Sequence, residues 1–126
     1  MALLWNIAAV GAGGAAGAIS RYLAQWATSR IVDPCVATFA VNISGCLAIG
    51  VAWALIRHHH PAQVWPLLVM TGFLGGYTTF SSFSLDAVKL LEQGLPLKAL
   101  TYLGGSVILG VFACMAAISL TDRLIR

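Results

Sequence analysis

Apolar residues run along this chain in four long blocks: Leu3 to Trp26, Cys35 to Leu55, Val64 to Leu91 and Leu97 to Leu120. About twenty apolar residues in a helix cross roughly 30 Å of hydrocarbon. The pattern therefore predicts an all-α integral membrane protein with four transmembrane helices, over 3–26, 35–55, 64–91 and 97–120, in one transmembrane domain spanning residues 1–126. The separators TSRIVDP, RHHHPAQ and EQGLP combine polar residues with Pro34, Pro61, Gly94 and Pro96, as turns between helices do. They are short, so neighbouring spans should be antiparallel. Trp5, Trp26, Trp53 and Trp65 fall near the predicted span ends, where an indole ring can sit in lipid with its N–H in water.

Composition agrees with the pattern. Of 126 residues, 60% are hydrophobic and 9% charged, and the mean hydropathy is +0.89, a balance that a soluble domain of this length does not need. Residues 1 to 9 carry no Lys or Arg, so the first block lacks the basic start of a signal peptide and is read as a span of the mature protein. Cys35, Cys46 and Cys114 are odd in number and two lie inside spans, which implies no disulfide framework. The net charge of +3 comes from seven scattered Lys and Arg and does not point to nucleic acid.

Charge bears instead on topology. Four spans place Arg57, Arg123 and Arg126 on one side of the membrane and Arg21, Arg30, Lys89 and Lys98 on the other. Three against four gives the positive-inside rule almost nothing to act on, so the chain is expected to insert in both orientations. A dual-topology chain can pair with its own inverted copy, and an antiparallel homodimer is the expected assembly, with the symmetry that inverted-repeat transporters build within one chain.

The third block contains TGFLGGYTTFSSFSLD, Thr71 to Asp86. Gly72, Gly75, Gly76, Thr78 and Thr79 put poor helix formers in mid-span, which predicts a third helix broken near its middle; close helix packing is the alternative reading of the glycines. Unwound backbone is tolerated in hydrocarbon only where protein or a polar cavity surrounds it, and its freed carbonyls are ligands for a hard cation. Phe80 and Phe83 follow, three apart on one face. Their positive ring edges can line a route for a small anion, or the rings can simply pack or face lipid.

Other spans offer polar partners. Thr38 and Asn42 are four apart in the second, as are Tyr102 and Ser106 in the fourth, whose face continues to Gly110. They form either a polar track opposite the phenylalanines or ordinary interhelical hydrogen bonds. Arg21, near the end of the first span, either faces an aqueous vestibule and concentrates anions or snorkels to the headgroups. Asp86 is expected near a span end, in reach of Lys89, which leaves no acidic proton carrier in a span interior.

Two tempting signals weaken on inspection. Gly11, Gly13 and Ala16 match the dinucleotide-binding spacing G-x-G-x-x-G/A, with Asp33 about twenty positions on. The match lies inside an apolar span with no room for strand, turn and helix, so Gly13 and Gly17 read better as a G-x-x-x-G packing seam. His58, His59 and His60 are consecutive, and their side chains diverge. No catalytic triad, metal-ligand spacing or phosphate loop remains, which argues against an enzyme.

GGAAGAISRY in the first span, FAVNISGCLAIG in the second and GFLGGYTTFSSFSLD in the third resemble the CrcB/Fluc family of fluoride channels over essentially the whole chain. The resemblance implies a four-helix subunit, an antiparallel dual-topology homodimer in the cell (inner) membrane, and two pores passing fluoride passively out of the cytoplasm. It implies that Phe80 and Phe83 are the pore aromatics, with Asn42 beside them, and that Tyr102 and Ser106 form a polar track to which Thr38 adds. Arg21 would be the vestibule arginine. Main-chain carbonyls of Gly75 and Thr78 would hold a structural, untransported Na⁺ at the dimer centre. Gly110 stands where that track often carries another hydroxyl. A small dual-topology multidrug exporter is the alternative; it needs a membrane carboxylate.

Overall fold

The computed structural model describes residues 1–125; Arg126, counted above in the charge balance, lies outside the described residues. The described chain is helical, with no strand. Helix α1 covers Ala2–Thr28 and α2 covers Pro34–His59. The third apolar block is divided: α3 (Val64–Pro66), a π-helical stretch Leu67–Leu74, α4 (Gly75–Tyr77) and α5 (Phe80–Glu92). Helix α6 covers Pro96–Ile125.

Helices α1, α2 and α6 are each long and apolar enough to cross a membrane, and each outruns its expected span by a few residues at both or either end. The chain is a multi-pass membrane protein. Its burial pattern is the reverse of a soluble domain's: the interior is mostly small, with Ala37, Ala54, Ala87, Ala99 and Ala117 buried, while Leu, Ile, Val and Trp side chains cover the outside. In lipid, helices associate through close packing rather than by hiding large apolar groups from water, so small residues belong at the contacts.

Proline and aspartate start α2, with Pro34 at its first position and Asp33 before it, where a missing N–H costs nothing. Between α5 and α6, Gly94 has φ +72°. Its amide bonds Leu91 and the next amide, of Leu95, bonds Leu90, a Schellman closure that favours glycine at this position. Exposed ion pairs tie the ends: Arg57 and His58 of α2 to Asp122 of α6, and Lys98 of α6 to Asp33. Pairs this exposed are screened by solvent and orient the helix ends more than they stabilise the fold.

The G-x-G-x-x-A match is mid-helix in α1 and forms no loop. Its glycines serve the neighbouring backbone. A Cβ built on Gly13 would meet the Leu68 carbonyl oxygen at 2.2 Å, one on Gly17 the Phe73 carbonyl oxygen at 2.0 Å, and one on Gly76 the Gly14 carbonyl oxygen at 2.4 Å. Backbone therefore lies on backbone along this seam, which clamps α1 to the π-helical stretch and α4. On the other side α2 runs along α6, and α5 packs between them.

Candidate functional site: the interrupted third segment

Helix α4 ends at Tyr77, and the last helical hydrogen bond is that of the Thr78 N–H to the Leu74 carbonyl. Thr78 (φ −80°, ψ 159°) and Thr79 (φ −150°, ψ 117°) are extended, and the helix restarts at Phe80. The glycines on which the sequence places weakness are themselves helical, and the interruption falls two residues beyond them.

The interruption is stabilised by a few side chains. Thr79 caps α5, its Oγ1 accepting the Ser82 amide at 3.2 Å, worth about 1 kcal/mol for a cap of this kind. Asn42 of α2 grips the Thr79 backbone at both ends: Oδ1 accepts the Thr79 N–H at 2.8 Å and Nδ2 donates to the Thr79 carbonyl at 3.1 Å. Thr78 folds back, its N–H and Oγ1 both donating to the Leu74 carbonyl.

These bonds divert amides from the helical ladder. In a continuous helix the Thr79 N–H would donate to Gly75 and the Ser82 N–H to Thr78; here they go to Asn42 and Thr79 Oγ1. The main-chain carbonyls of Gly75 and Thr78 are thereby left without their helical partners. Both residues line an open groove of about 310 Å³, with Asn42, Gly45, Thr79 and Phe80. Arg21 of α1 also reaches this helix end, its Nε donating to the Gly76 carbonyl at 3.2 Å.

The aromatic residues form a chain. The Phe80 and Phe83 rings are 5.6 Å apart, and Phe83 and Tyr102 of α6 are 5.2 Å apart, each pair tilted by about 45°, within the range of favourable edge-to-face contacts. Phe83 is buried, whereas Phe80 is 79% exposed on the groove side. The hydroxyl of Tyr102, beside Phe83, and Ser106 Oγ one turn on are buried with no hydrogen-bond partner among the described residues. A buried hydroxyl so left costs about 1–3 kcal/mol. Beyond them, Gly110 packs on α2, where a Cβ would meet Cys46 Sγ at 3.2 Å; close approach of the helices accounts for the missing hydroxyl there.

Thr38 is committed elsewhere. It is 2% exposed and donates to Asp86 Oδ2 at 2.7 Å, while Gln25 Nε2 of α1 approaches its oxygen at 3.5 Å. This corrects the expectation for Asp86, which is buried at 8% exposure and bonded to α2 rather than paired with Lys89. The reason is helical geometry. Phe83 and Asp86 are three residues apart on α5, so the face that buries the ring also buries the carboxyl. From sequence Thr79 counts above only as a poor helix former, although a threonine just before a helical run is a capping signal, and Gln25, which has no such signal, is not named.

Comparison with known proteins agrees with the helical architecture. The family described as CrcB-like protein, Camphor Resistance (CrcB), matches residues 8–118. A Pseudomonas fluorescens (strain SBW25) protein named fluoride-specific ion channel FluC is 46% identical over 120 residues, covering 92% of this chain and 96% of that protein. A protein of the same name from P. fluorescens (strain Pf0-1) is 49% identical over 119 residues, covering 91% and 95%. One from Rhizobium etli (strain ATCC 51251) is 42% identical over 120 residues, covering 92% and 95%. With the match running through all the helices and the interrupted segment, the chain belongs to the CrcB-like family.

Proposed function

We propose that this chain is a passive, fluoride-selective channel, working as an antiparallel, dual-topology homodimer with two pores. The observation that carries the reading is the pair of buried, partnerless hydroxyls of Tyr102 and Ser106 beside the edge-tilted rings of Phe83 and Phe80. Fluoride is a small anion and a strong hydrogen-bond acceptor. Hydroxyl donors replace part of its water shell, and aromatic edges supply positive potential without a fixed cation that would trap it. The names of the relatives point to the same ion.

The exposed Phe80 and the groove beside it are where the inverted second copy would close each pore, and the two pieces of the third segment would then form one broken membrane crossing. The released carbonyls of Gly75 and Thr78 fit a hard cation such as Na⁺: they are neutral oxygens, they border the groove, and two copies double their number. When bound, the ion supplies positive charge that satisfies these carbonyls. Asn42 holds Thr79 extended so that both remain turned out of the helical ladder. The ion is structural and is not carried. Net fluoride flow is outward in a cell with a negative interior, where the potential contributes about 2.3 kcal/mol per 100 mV.

Purified protein in lipid vesicles tests this. The expected result is rapid fluoride efflux that follows the imposed potential, little chloride efflux, and a large loss of flux in Phe80→Ile with the dimer intact. Proton-coupled export of a cationic drug without fluoride efflux would instead establish the exporter, with Asp86 as its carboxyl. Full fluoride flux in a well-folded Phe80→Ile protein would remove the aromatic pore.

A further inference from the structure

We infer that Arg21 is a positioning residue that holds the cut end of α4, so that the Gly76 carbonyl is taken up on the α1 side while the Gly75 carbonyl is left to the groove. The inference rests on the reading above, in which released carbonyls hold a cation.

Four facts carry it. Arg21 Nε donates to the Gly76 carbonyl, 55 residues away in sequence. In a continuous helix that carbonyl would accept from the Phe80 N–H, but Phe80 opens α5, so Arg21 replaces a bond that the interruption removes. Gly76 is the residue pressed on α1, with Gly14 backbone 2.4 Å from a built Cβ, whereas Gly75 meets nothing nearer than the Met70 carbonyl oxygen at 3.7 Å and lines the groove. Finally, the Leu74 carbonyl is already filled by Thr78. Of the three carbonyls Leu74, Gly75 and Gly76, the first and last are thus satisfied by Thr78 and Arg21, and Gly75 has no such side-chain partner among the described residues.

The choice of arginine follows from its chemistry. A guanidinium stays charged at all working pH values, donates in a fixed plane, and complements the negative end of a helix. The seam of Gly13, Gly14 and Gly17 against the third segment brings α1 close enough for a side chain one turn further on to reach across. A vestibule charge needs reach and solvent, and it has no use for this contact.

The two roles predict opposite signs. A positive charge close to a cation site weakens it by repulsion, so if Arg21 acts only as charge, its removal tightens cation binding. If it positions the carbonyls, its removal loosens binding. The experiment melts the full-length protein in detergent across a range of NaCl, with choline chloride keeping ionic strength constant, for wild type, Arg21→Ala, Arg21→Gln and Arg21→Lys.

The Na⁺ concentration giving half of the thermal stabilisation is expected to rise roughly tenfold in Arg21→Ala, the scale of one lost hydrogen bond. It is expected to rise less in Arg21→Gln and Arg21→Lys, which retain a donor. Should Arg21→Ala fail to fold, an upward shift in the other two still supports the inference. An unchanged or lowered midpoint in the folded variants, beside a Na⁺-dependent wild type, overturns the role of Arg21 alone. A wild type with no Na⁺ dependence overturns the cation site and this inference with it.

Discussion

Two pairs of polar residues look alike in the sequence and differ in the folded chain. Thr38 and Asn42 on α2, and Tyr102 and Ser106 on α6, are each four apart, and each puts two hydrogen-bonding groups on one apolar helix face. In the structure the α2 pair is fully engaged: Thr38 donates to Asp86, and Asn42 holds both backbone groups of Thr79. The α6 pair is buried with its oxygens unpartnered. On the proposed reading, a protein that tolerates two orphaned hydroxyls while satisfying their near neighbours separates its scaffold from its site: the α2 residues build the interruption, and the α6 residues would serve the ion.

The largest test of that separation is Asn42→Ala. It removes two hydrogen bonds and leaves the N–H and C=O of Thr79, which is 8% exposed, without their side-chain partner. At about 1–3 kcal/mol for each abandoned group, the loss should be roughly 2–5 kcal/mol in a two-state unfolding experiment in detergent, and fluoride efflux should fall with it because the carbonyls of Gly75 and Thr78 can rejoin a helix. Normal stability with altered flux would make Asn42 a pore residue only and merge the two pairs again.

The difference between the pairs also marks how far the sequence could be read. The long helices α1, α2 and α6, the turns between helices, the α1 seam at Gly13 and Gly17, and the proximity of Phe80 to Phe83 follow from local rules: length, turn residues and the three-and-four spacing of a helix. What a side chain does with its polar atom does not. Thr38 and Ser106 have the same spacing signals, and their fates are set by what stands opposite: Thr38 meets Asp86, whereas Ser106 meets no hydrogen-bonding group among the described residues. Sequence spacing pairs Asp86 with Lys89 because the two are three residues apart, whereas the α2 contact that buries it is made across 48 positions of chain. The bond of Arg21 to Gly76 had no signal for the same reason: its partner is a backbone oxygen, and no residue type announces a backbone oxygen. The π-helical stretch Leu67–Leu74 has no sequence signal that we recognise.

A smaller effect is expected at Thr38. Thr38→Val keeps the shape and removes the donor to Asp86, so it should cost about 1–3 kcal/mol for a buried acceptor left unmet, moderated where Gln25, already 3.5 Å from the Thr38 oxygen, can turn toward the carboxyl. The double variant Thr38→Val with Asp86→Leu removes both partners and should recover most of the loss, since replacing a buried polar pair by apolar groups is often close to neutral. Thermal unfolding of the two singles and the double closes the cycle. A double variant as unstable as the sum of the singles would mean that Asp86 has a further partner in the assembled protein.

The smallest loss of stability, and the sharpest effect on the comparison, is expected at Ser106. Its hydroxyl has no partner to lose among the described residues, so Ser106→Ala should not destabilise the protein, and should stabilise it by up to about 1–3 kcal/mol where the unmet hydroxyl is a net cost. Tyr102→Phe should behave alike, since its ring keeps the 5.2 Å contact with Phe83 and loses only the oxygen. Both should nevertheless slow fluoride efflux from vesicles, because a donor held at a cost to the empty protein is repaid only when an anion stands beside it. That dissociation of stability from flux is the signature of a site, as opposed to a scaffold. If Ser106→Ala instead destabilises the protein as Thr38→Val does, with flux falling in proportion, then the second copy supplies the missing partner, and the α6 pair belongs to the dimer contact rather than to the ion.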